Sequence, residues 1–312
     1  MRSAIIILAL VCTPMISAQV ESTDNLPPFH FAFSSRMFLE INENDGKASL
    51  KVWAEIVARE RGVAVDAATS VFNGLPALKV GLTNGSIDGA AMTADEYFPA
   101  SERVKFSPIF ATTVNGDPNE EYLLLVHRDS KFEDLASLRG ANLLYYENAV
   151  MCLSIPWLET VFASQGLPSV TNFFRTETAK PKISATVLPV FFRTTDACLV
   201  NRRAFETLVE LNPQVGRKLR VLATSPQLMA IIIGFRADRP TAHTDNVHKA
   251  FSHLHDSVAG KQILTVFRID KLELVPESAL EPARQVWEQY QRLHEHVSSA
   301  PVGNSTLTLN RP

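Results

Sequence analysis

Two hydrophobic periods alternate along the chain. Phe29–Phe33 is a short apolar run ended by Ser34-Ser35, after which Leu50, Trp53, Ala54, Val57 and Ala58 recur at i, i+3, i+4, i+7 and i+8. The run predicts a buried strand. The spacing predicts a helix with one buried face, capped by Asn44 or Asp45 and stopped at Arg61-Gly62. The unit then recurs as Val71-Phe72, a helix opened by Gly74-Leu75-Pro76 and ended at Asn84-Gly85, and a strand over Ile87–Met92 that stops at Thr93. Such alternation predicts a parallel sheet with helices on its faces.

Tyr122–Val126 is a further apolar strand, running into Arg128-Asp129-Ser130, and reads as a crossover into a second sheet. That sheet is expected to contain Asn142–Tyr146, Thr171–Phe174, Ala197–Val200 and Leu219–Ala223. One helix lies around Pro156-Trp157-Leu158, and another carries Phe205, Leu208 and Val209 and stops at Asn212-Pro213. Met229–Ile233 is the return crossing. Two closing helices carry Val247, Phe251, Leu254 and Val258, then Ala283, Trp287, Tyr290 and Val297. There is no internal repeat. The expected fold is α/β, with two lobes, each a mostly parallel sheet flanked by helices. A two-strand hinge near Val126–Arg128 and Ile233–Arg236 joins them, with a ligand cleft between. Residues 19–126 and 234–298 would form the first lobe, 127–233 the second and 299–312 a flexible tail.

The N-terminus adds a compartment. Met1-Arg2 precedes Ala4–Val11, which has no polar residue; Pro14 breaks the run and Ile16-Ser17-Ala18 supplies a small-residue exit. This is the pattern of a secretory signal peptide at residues 1–18, cleaved after Ala18, and the apolar run is too short to span a membrane. Val11 argues against lipidation at Cys12, because lipoprotein signals place a small residue there. The mature chain is expected in the periplasm without membrane insertion. Removing Arg2 takes the formal charge from −3 to −4. A balance so near neutral excludes a nucleic-acid binder, since phosphate backbones require a basic face.

Catalytic and metal motifs are missing. There is no phosphate-binding Gly-Lys-Ser/Thr loop, dinucleotide fingerprint, nucleophile elbow or His-Glu-x-x-His. His243, His248, His253 and His255 crowd one segment, but helical geometry points His253 and His255 to different faces, so no metal is expected. His294 and His296 have the same spacing. Cys152 and Cys198 are the cysteines left after cleavage, and either a disulfide or two buried thiols fits them. No His lies between Arg128 and Gly234 to activate Cys152. Phe191-Phe192 beside Pro189 is expected to be buried, and so is Phe72.

An ordered set of segments carries a family resemblance. It runs through Phe33-Ser34-Ser35-Arg36-Met37-Phe38, Asp88-Gly89-Ala90 before Thr93, Asp134–Gly140, Val187–Phe192, Asp196–Val200 and Glu210–Gln214. The chain resembles the phosphate/phosphonate-type periplasmic substrate-binding proteins of ABC transporters, from about Phe29 to Val297. The resemblance implies two lobes closing on a small ligand, without catalysis or cofactor. It also implies an anionic head held at helix N-termini, where unpaired N–H groups and the helix dipole favour negative charge.

Carried onto this sequence, the ligand-binding candidates in the first lobe are Ser34, Ser35 and Thr93, each equally suited to capping. In the second lobe the loop after Asn142–Tyr146 reads Glu147-Asn148-Ala149-Val150-Met151-Cys152-Leu153-Ser154, which leaves Asn148 and Ser154 as donors. Glu147 would repel a phosphate or pair with an amino group. Asp196 matches a position that holds a cationic part of the ligand, and also suits a strand-end carboxylate. The expected function is an exported, monomeric solute-binding protein that presents a small anionic ligand to an ABC permease. Phosphate, phosphonate, sulfonate and an amino-bearing anion are all open. The alternatives are a sensory protein feeding a signalling partner, or an enzyme on the same scaffold built on Cys152 and Glu147.

Overall fold

The computed structural model describes residues 28–61, 70–239 and 241–298. The expected signal segment, Cys12 and residues 299–312 lie outside the described residues, as do the side chains of Val57, Ala58, His243, His296 and Val297.

The first half-lobe follows the predicted alternation. β1 (Phe31–Ser34), α1 (Glu43–Arg61), β2 (Ser70–Phe72), α2 (Gly74–Asn84), β3 (Gly89–Thr93), α3 (Ala94–Ser101) and β4 (Phe106–Thr113) succeed one another. Leu50, Trp53 and Ala54 bury the inner face of α1. α2 stops at Gly85, whose φ of 78° is left-handed and suits a residue without Cβ. β5 (Asn119–Glu120) then leads into the second lobe.

That lobe contains β6 (Tyr122–His127), β7 (Asn142–Tyr146), α4 (Ser154–Ser164), α5 (Val170–Phe173), β8 (Thr176–Lys180) and α6 (Ile183–Phe191). It continues with β9 (Ala197–Asn201), α7 (Arg202–Leu211), α8 (Pro213–Lys218) and β10 (Leu219–Thr224). β11 (Leu228–Met229) and β12 (Ile231–Arg236) return the chain. α9 (Thr241–Ser252), α10 (Val258–Val266), β13 (Lys271–Val275) and α11 (Glu281–Ser298) complete it.

The strands form a six-stranded sheet ordered β13-β4-β12-β3-β1-β2 and a five-stranded sheet ordered β10-β6-β9-β7-β8. β1 runs parallel to β2 and β3, and β7 runs parallel to β8 and β9. The returning β12 is antiparallel to both β3 and β4, and β6 is antiparallel to β9 and β10, so each sheet is mixed. β5 and β11 pair antiparallel as a separate two-stranded link, with Leu228 opposite Glu120 and Met229 opposite Asn119. These are the two crossings. The segments expected to hinge, Val126–Arg128 and Ile233–Arg236, lie largely inside β6 and β12, strands of the two large sheets. An apolar run marks a buried strand but does not say which sheet it joins.

Other differences also have physical causes. Thr171–Phe174, expected as a strand, is mostly α5; the edge strand is the polar β8, whose Thr-Glu-Thr-Ala-Lys pattern carries no apolar run. β4 contains Pro108, which breaks the reading of a strand from sequence. The helix expected to carry both Val247 and Val258 is divided at the Leu254–Asp256 turn, where Ser257 caps α10 by accepting from the Gly260 N–H at 3.0 Å. Phe192, expected to be buried, is 66% exposed. α11 packs on α4 of the second lobe as well as on α3 of the first, where Arg284 stacks on Phe98 at 5.2 Å, so it straps the two together.

Gly260 is required by a close approach. A Cβ there would overlap the Leu254 carbonyl oxygen, a backbone atom that cannot swing aside. Gly260→Ala is expected to lower stability by about 1–3 kcal/mol, read from the urea midpoint, because the turn and α10 must separate.

Candidate functional site

The parallel strands of both lobes direct their carboxyl ends at the space between the sheets, where α/β folds place ligands. A cavity of about 520 Å³ lies there. Phe33 at the end of β1, Tyr146 at the end of β7 and Asn201 at the end of β9 all line it, and Glu120 and Ala230 contribute from the crossings. Most of the wall is apolar. Trp53, Phe251 and Phe267 face it from the first lobe, and Ile183, Leu208 and Leu211 from α6 and α7 of the second. The apolar residues of α7 recur at helical spacing and pack only partly buried against the core, which leaves Leu208 and Leu211 to line the cavity.

Each of the three arginines in the wall has a carboxylate nearby. Arg36 donates to both oxygens of Asp95 at 2.8 and 2.6 Å, Arg203 lies 3.5 Å from Glu120, and Arg268 lies 3.8 Å from Glu40. Arg203 also donates to the Asn119 carbonyl at 3.1 Å. Burial raises the carboxyl of Glu120 above its ordinary value, partly offset by the hydrogen bond from Asn201 and by Arg203. Burial likewise raises Glu40, against the opposing pull of Arg268 and Asn148.

Two buried polar atoms of lining residues stand without partners. Asn201 donates from Nδ2 to Glu120 Oε2 at 2.9 Å, which fixes the orientation of its amide, yet its Oδ1 has no hydrogen-bond partner. Trp53 Nε1 is equally unpartnered. Asn201 is 4% exposed and Trp53 3%.

Of the six residues singled out by sequence, only Asn148 lines the cavity, where its Oδ1 accepts from the Met151 N–H at 3.1 Å. Ser34 and Thr93 sit behind the wall at the predicted strand ends, but the chain's own carboxylates occupy them. Ser34 Oγ donates to Glu96 at 2.9 Å, and the Thr93 N–H donates to Glu96 at 3.0 Å. Thr93 Oγ1 is 2.5 Å from Asp95 and 3.0 Å from Glu96, and Arg36 reaches it at 3.2 Å. The donors expected to hold an anionic head in the first lobe are therefore engaged by Asp95 and Glu96. Ser35 Oγ donates to Asn73 at 3.3 Å, away from the wall. Ser154 is buried and donates to the Met151 carbonyl at 2.7 Å.

Asp196 accepts from the Asn142 N–H at 2.8 Å and from its side-chain amide at 3.0 Å. It stands at the start of β9, about 16 Å from Asn201 by strand rise, so it serves as the strand-end carboxylate. Cys152 and Cys198 are both free and buried, and burial holds each thiol protonated. The arrangement therefore does not prepare Cys152 as a nucleophile.

Residues 39–280 match the family described as the periplasmic substrate-binding protein of phosphonate ABC transporters. The chain belongs to that family. A search of curated proteins finds no match to its sequence. Solved structures show the same fold at low identity. A binding protein component of an ABC phosphonate transporter from Pseudomonas aeruginosa is 19% identical with a TM-score of 0.59, covering 89% of this chain and 91% of the other. XAC2383 from Xanthomonas citri, solved bound to ATP, is 14% identical with a TM-score of 0.64, covering 86% and 98%. PhnD1 from Prochlorococcus marinus, in complex with methylphosphonate, is 13% identical with a TM-score of 0.59, covering 86% and 100%. The family is one of transport binding proteins rather than enzymes. Among the described residues of this phosphonate-type binding protein, no helix is long and apolar enough to cross a membrane.

Sequence reasoning overlooked Arg36, Glu40, Trp53, Glu120, Asn201 and Arg203 as parts of the site. The signal for Asn201-Arg202-Arg203 was available, because it ends a buried strand just as Ser34 and Thr93 do. Trp53 read only as core.

Proposed function

We propose that this chain is exported, with residues 1–18 removed, and acts as a monomeric solute-binding protein that closes its two lobes on a small ligand and delivers it to an ABC permease. The observation that carries this reading is the position of the cavity. It is walled by both large sheets' strand ends and by the β5–β11 link, so a solute there touches both lobes at once. Contacts made to both lobes exist only when they are together, and that difference in affinity is what drives closure. The paired strands β5 and β11 are the short segments whose backbone angles would absorb the motion.

Small-angle scattering with candidate solutes tests this. A ligand detected by calorimetry is expected to reduce the radius of gyration. Binding without compaction, or no binding across organic solutes and oxyanions, overturns the reading.

A further inference from the structure

The end of the second lobe that faces away from the cavity carries a charge pattern that solute binding does not use. β6 ends there at His127, and β7, β8, β9 and β10 begin there: Asn142 stands opposite Thr176, Leu143 and Val126 opposite Ala197, and His127 opposite Leu219. We propose that this end is a docking surface for a lipid bilayer with anionic headgroups. Its arginines and lysines meet the lipid phosphates, while the Phe192 ring enters the boundary between headgroups and acyl chains. The surface is separate from the cavity and goes beyond the solute-binding reading.

Three observations converge. The first is charge. Arg128, Lys131, Arg193, Arg217 and Lys218 gather here exposed, with Arg220 half-buried beside them. The Arg128 Nε donates to the Arg217 carbonyl at 3.0 Å, its N–H donates to the Lys218 carbonyl at 2.7 Å, and Arg220 donates to the Phe132 carbonyl. A carbonyl satisfies a donor but leaves the cation's charge in place. Arg193 is paired with Asp129 at 2.6 Å. Glu133, Asp134 and Asp196 are the other carboxylates on the connections at this end, whereas Arg139 and Arg175 add two more cations, so positive charge predominates. His127 registers that field: burial lowers its imidazole below the ordinary 6.5, and Arg193 and Lys218 add to the effect against the pull of Asp129.

The second is a projecting ring held in place. Phe192 follows α6 and is 66% exposed. The Thr194 N–H donates to the Pro189 carbonyl at 2.8 Å and the Arg193 N–H to the Val190 carbonyl at 3.1 Å, the two bonds of a Schellman turn. Arg193 takes its left-handed position, φ 61°, where glycine is the usual residue. Arg193 Nε then donates to His127 Nδ1 at 3.2 Å, which fixes the turn, and Phe192 with it, among the basic side chains.

The third is the combination. A bilayer with anionic lipids lays phosphates over an apolar layer, so it rewards cations and a projecting ring together. An acidic polypeptide would reward the cations and leave the ring in water. Adsorption by this end also leaves the cavity free, because the strand ends at Tyr146 and Asn201 that line it are at the other end of the same sheet.

The test sediments the exported protein with vesicles of phosphatidylcholine alone or mixed with phosphatidylglycerol, at low and at high salt. Binding is expected to be at least about tenfold stronger with phosphatidylglycerol at low salt, and to fall as salt screens the surface. Arg217→Gln/Lys218→Gln is expected to weaken it about tenfold, and Phe192→Ser about fivefold. These side chains are exposed, so urea midpoints are expected to stay unchanged. Lys51→Gln/Lys261→Gln removes the same net charge from exposed positions in the first lobe and is expected to bind as the parent does. Every variant shares the parent's N-terminus, so differences between them report on this end alone.

Equal binding to both vesicles overturns the proposal, and so does undiminished binding by Arg217→Gln/Lys218→Gln or an equal loss in Lys51→Gln/Lys261→Gln. Full binding by Phe192→Ser overturns it too, as does capture by polyglutamate as strong as capture by the anionic vesicles, which would assign the surface to an acidic polypeptide. Ligand-induced compaction is measured separately, so the solute-binding reading stands or falls on its own test.

Discussion

Phe235→Ala is expected to destabilise the first lobe by about 3–5 kcal/mol, the range for deleting a buried aromatic ring. Phe235 is fully buried on β12 and meets Phe29, Phe31, Phe110 and Phe251 with centroids 6.0, 5.7, 5.8 and 5.1 Å away. His248 completes the cage at 4.6 Å. No neighbour can collapse into the void without leaving another of these contacts. The loss would be a large share of the ~5–15 kcal/mol typical of a folded domain. Urea denaturation followed by tryptophan fluorescence measures it, with Trp53 reporting on the first lobe and Trp157 on the second. Phe235→Leu, which refills most of the volume, is expected to cost far less; an equal cost would show that ring packing is not the cause.

The second large effect is expected at Glu96. Its carboxylate is the acceptor for Ser34 Oγ and for the Thr93 N–H at the start of α3, and it is 4% exposed. Glu96→Ala leaves both donors buried and unsatisfied, and about 2–4 kcal/mol of stability is expected to go with them. Glu96→Gln keeps an amide oxygen in place and is expected to fold.

The glutamine variant also isolates a pH dependence. Burial raises the Glu96 carboxyl above its ordinary value of 4.5, although its hydrogen bonds pull it partly back. A carboxyl whose value is higher folded than unfolded binds its proton more tightly in the native state. Its contribution is complete below 4.5 and declines as pH rises through the folded value. Glu40 and Glu120, also raised by burial, act in the same direction. His127 and His248, lowered by burial, act oppositely, their contributions declining as pH falls below 6.5. Urea midpoints between acidic and neutral pH are therefore expected to show a shallower decline in Glu96→Gln than in the parent. Parallel slopes would place the carboxylate's effect elsewhere.

Much of the architecture was legible from spacing alone. The boundaries of α1 and α2, the end of α7 and the strands β3, β6, β7, β9 and β10 follow from local period and from punctuation by Gly, Asn and Pro, which operate over a few residues. β4, β8 and β13 were not legible. One is interrupted by Pro108, one is a polar edge strand, and β13 is a short strand attached only to β4.

The site was less legible than the fold. Strand ends marked Ser34 and Thr93, which lie behind the cavity wall, but a hydroxyl's partner depends on side chains brought in from elsewhere in space. Here Asp95 and Glu96 turn back onto the strand ends, so capping and occupation of the expected anion seat became one arrangement.

The sequence by itself determined the alternation of strands and helices, the two-lobed α/β class and the family, because periodicity and ordered motifs are properties of the chain. Only the tertiary structure decided where the chain crosses between lobes, that the wall's guanidinium charges are matched by carboxylates, and that Trp53 and Asn201 line one cavity. Trp53 and Asn201 are far apart along the chain, and pairing, burial and neutralisation depend on distance through space, which no local pattern encodes.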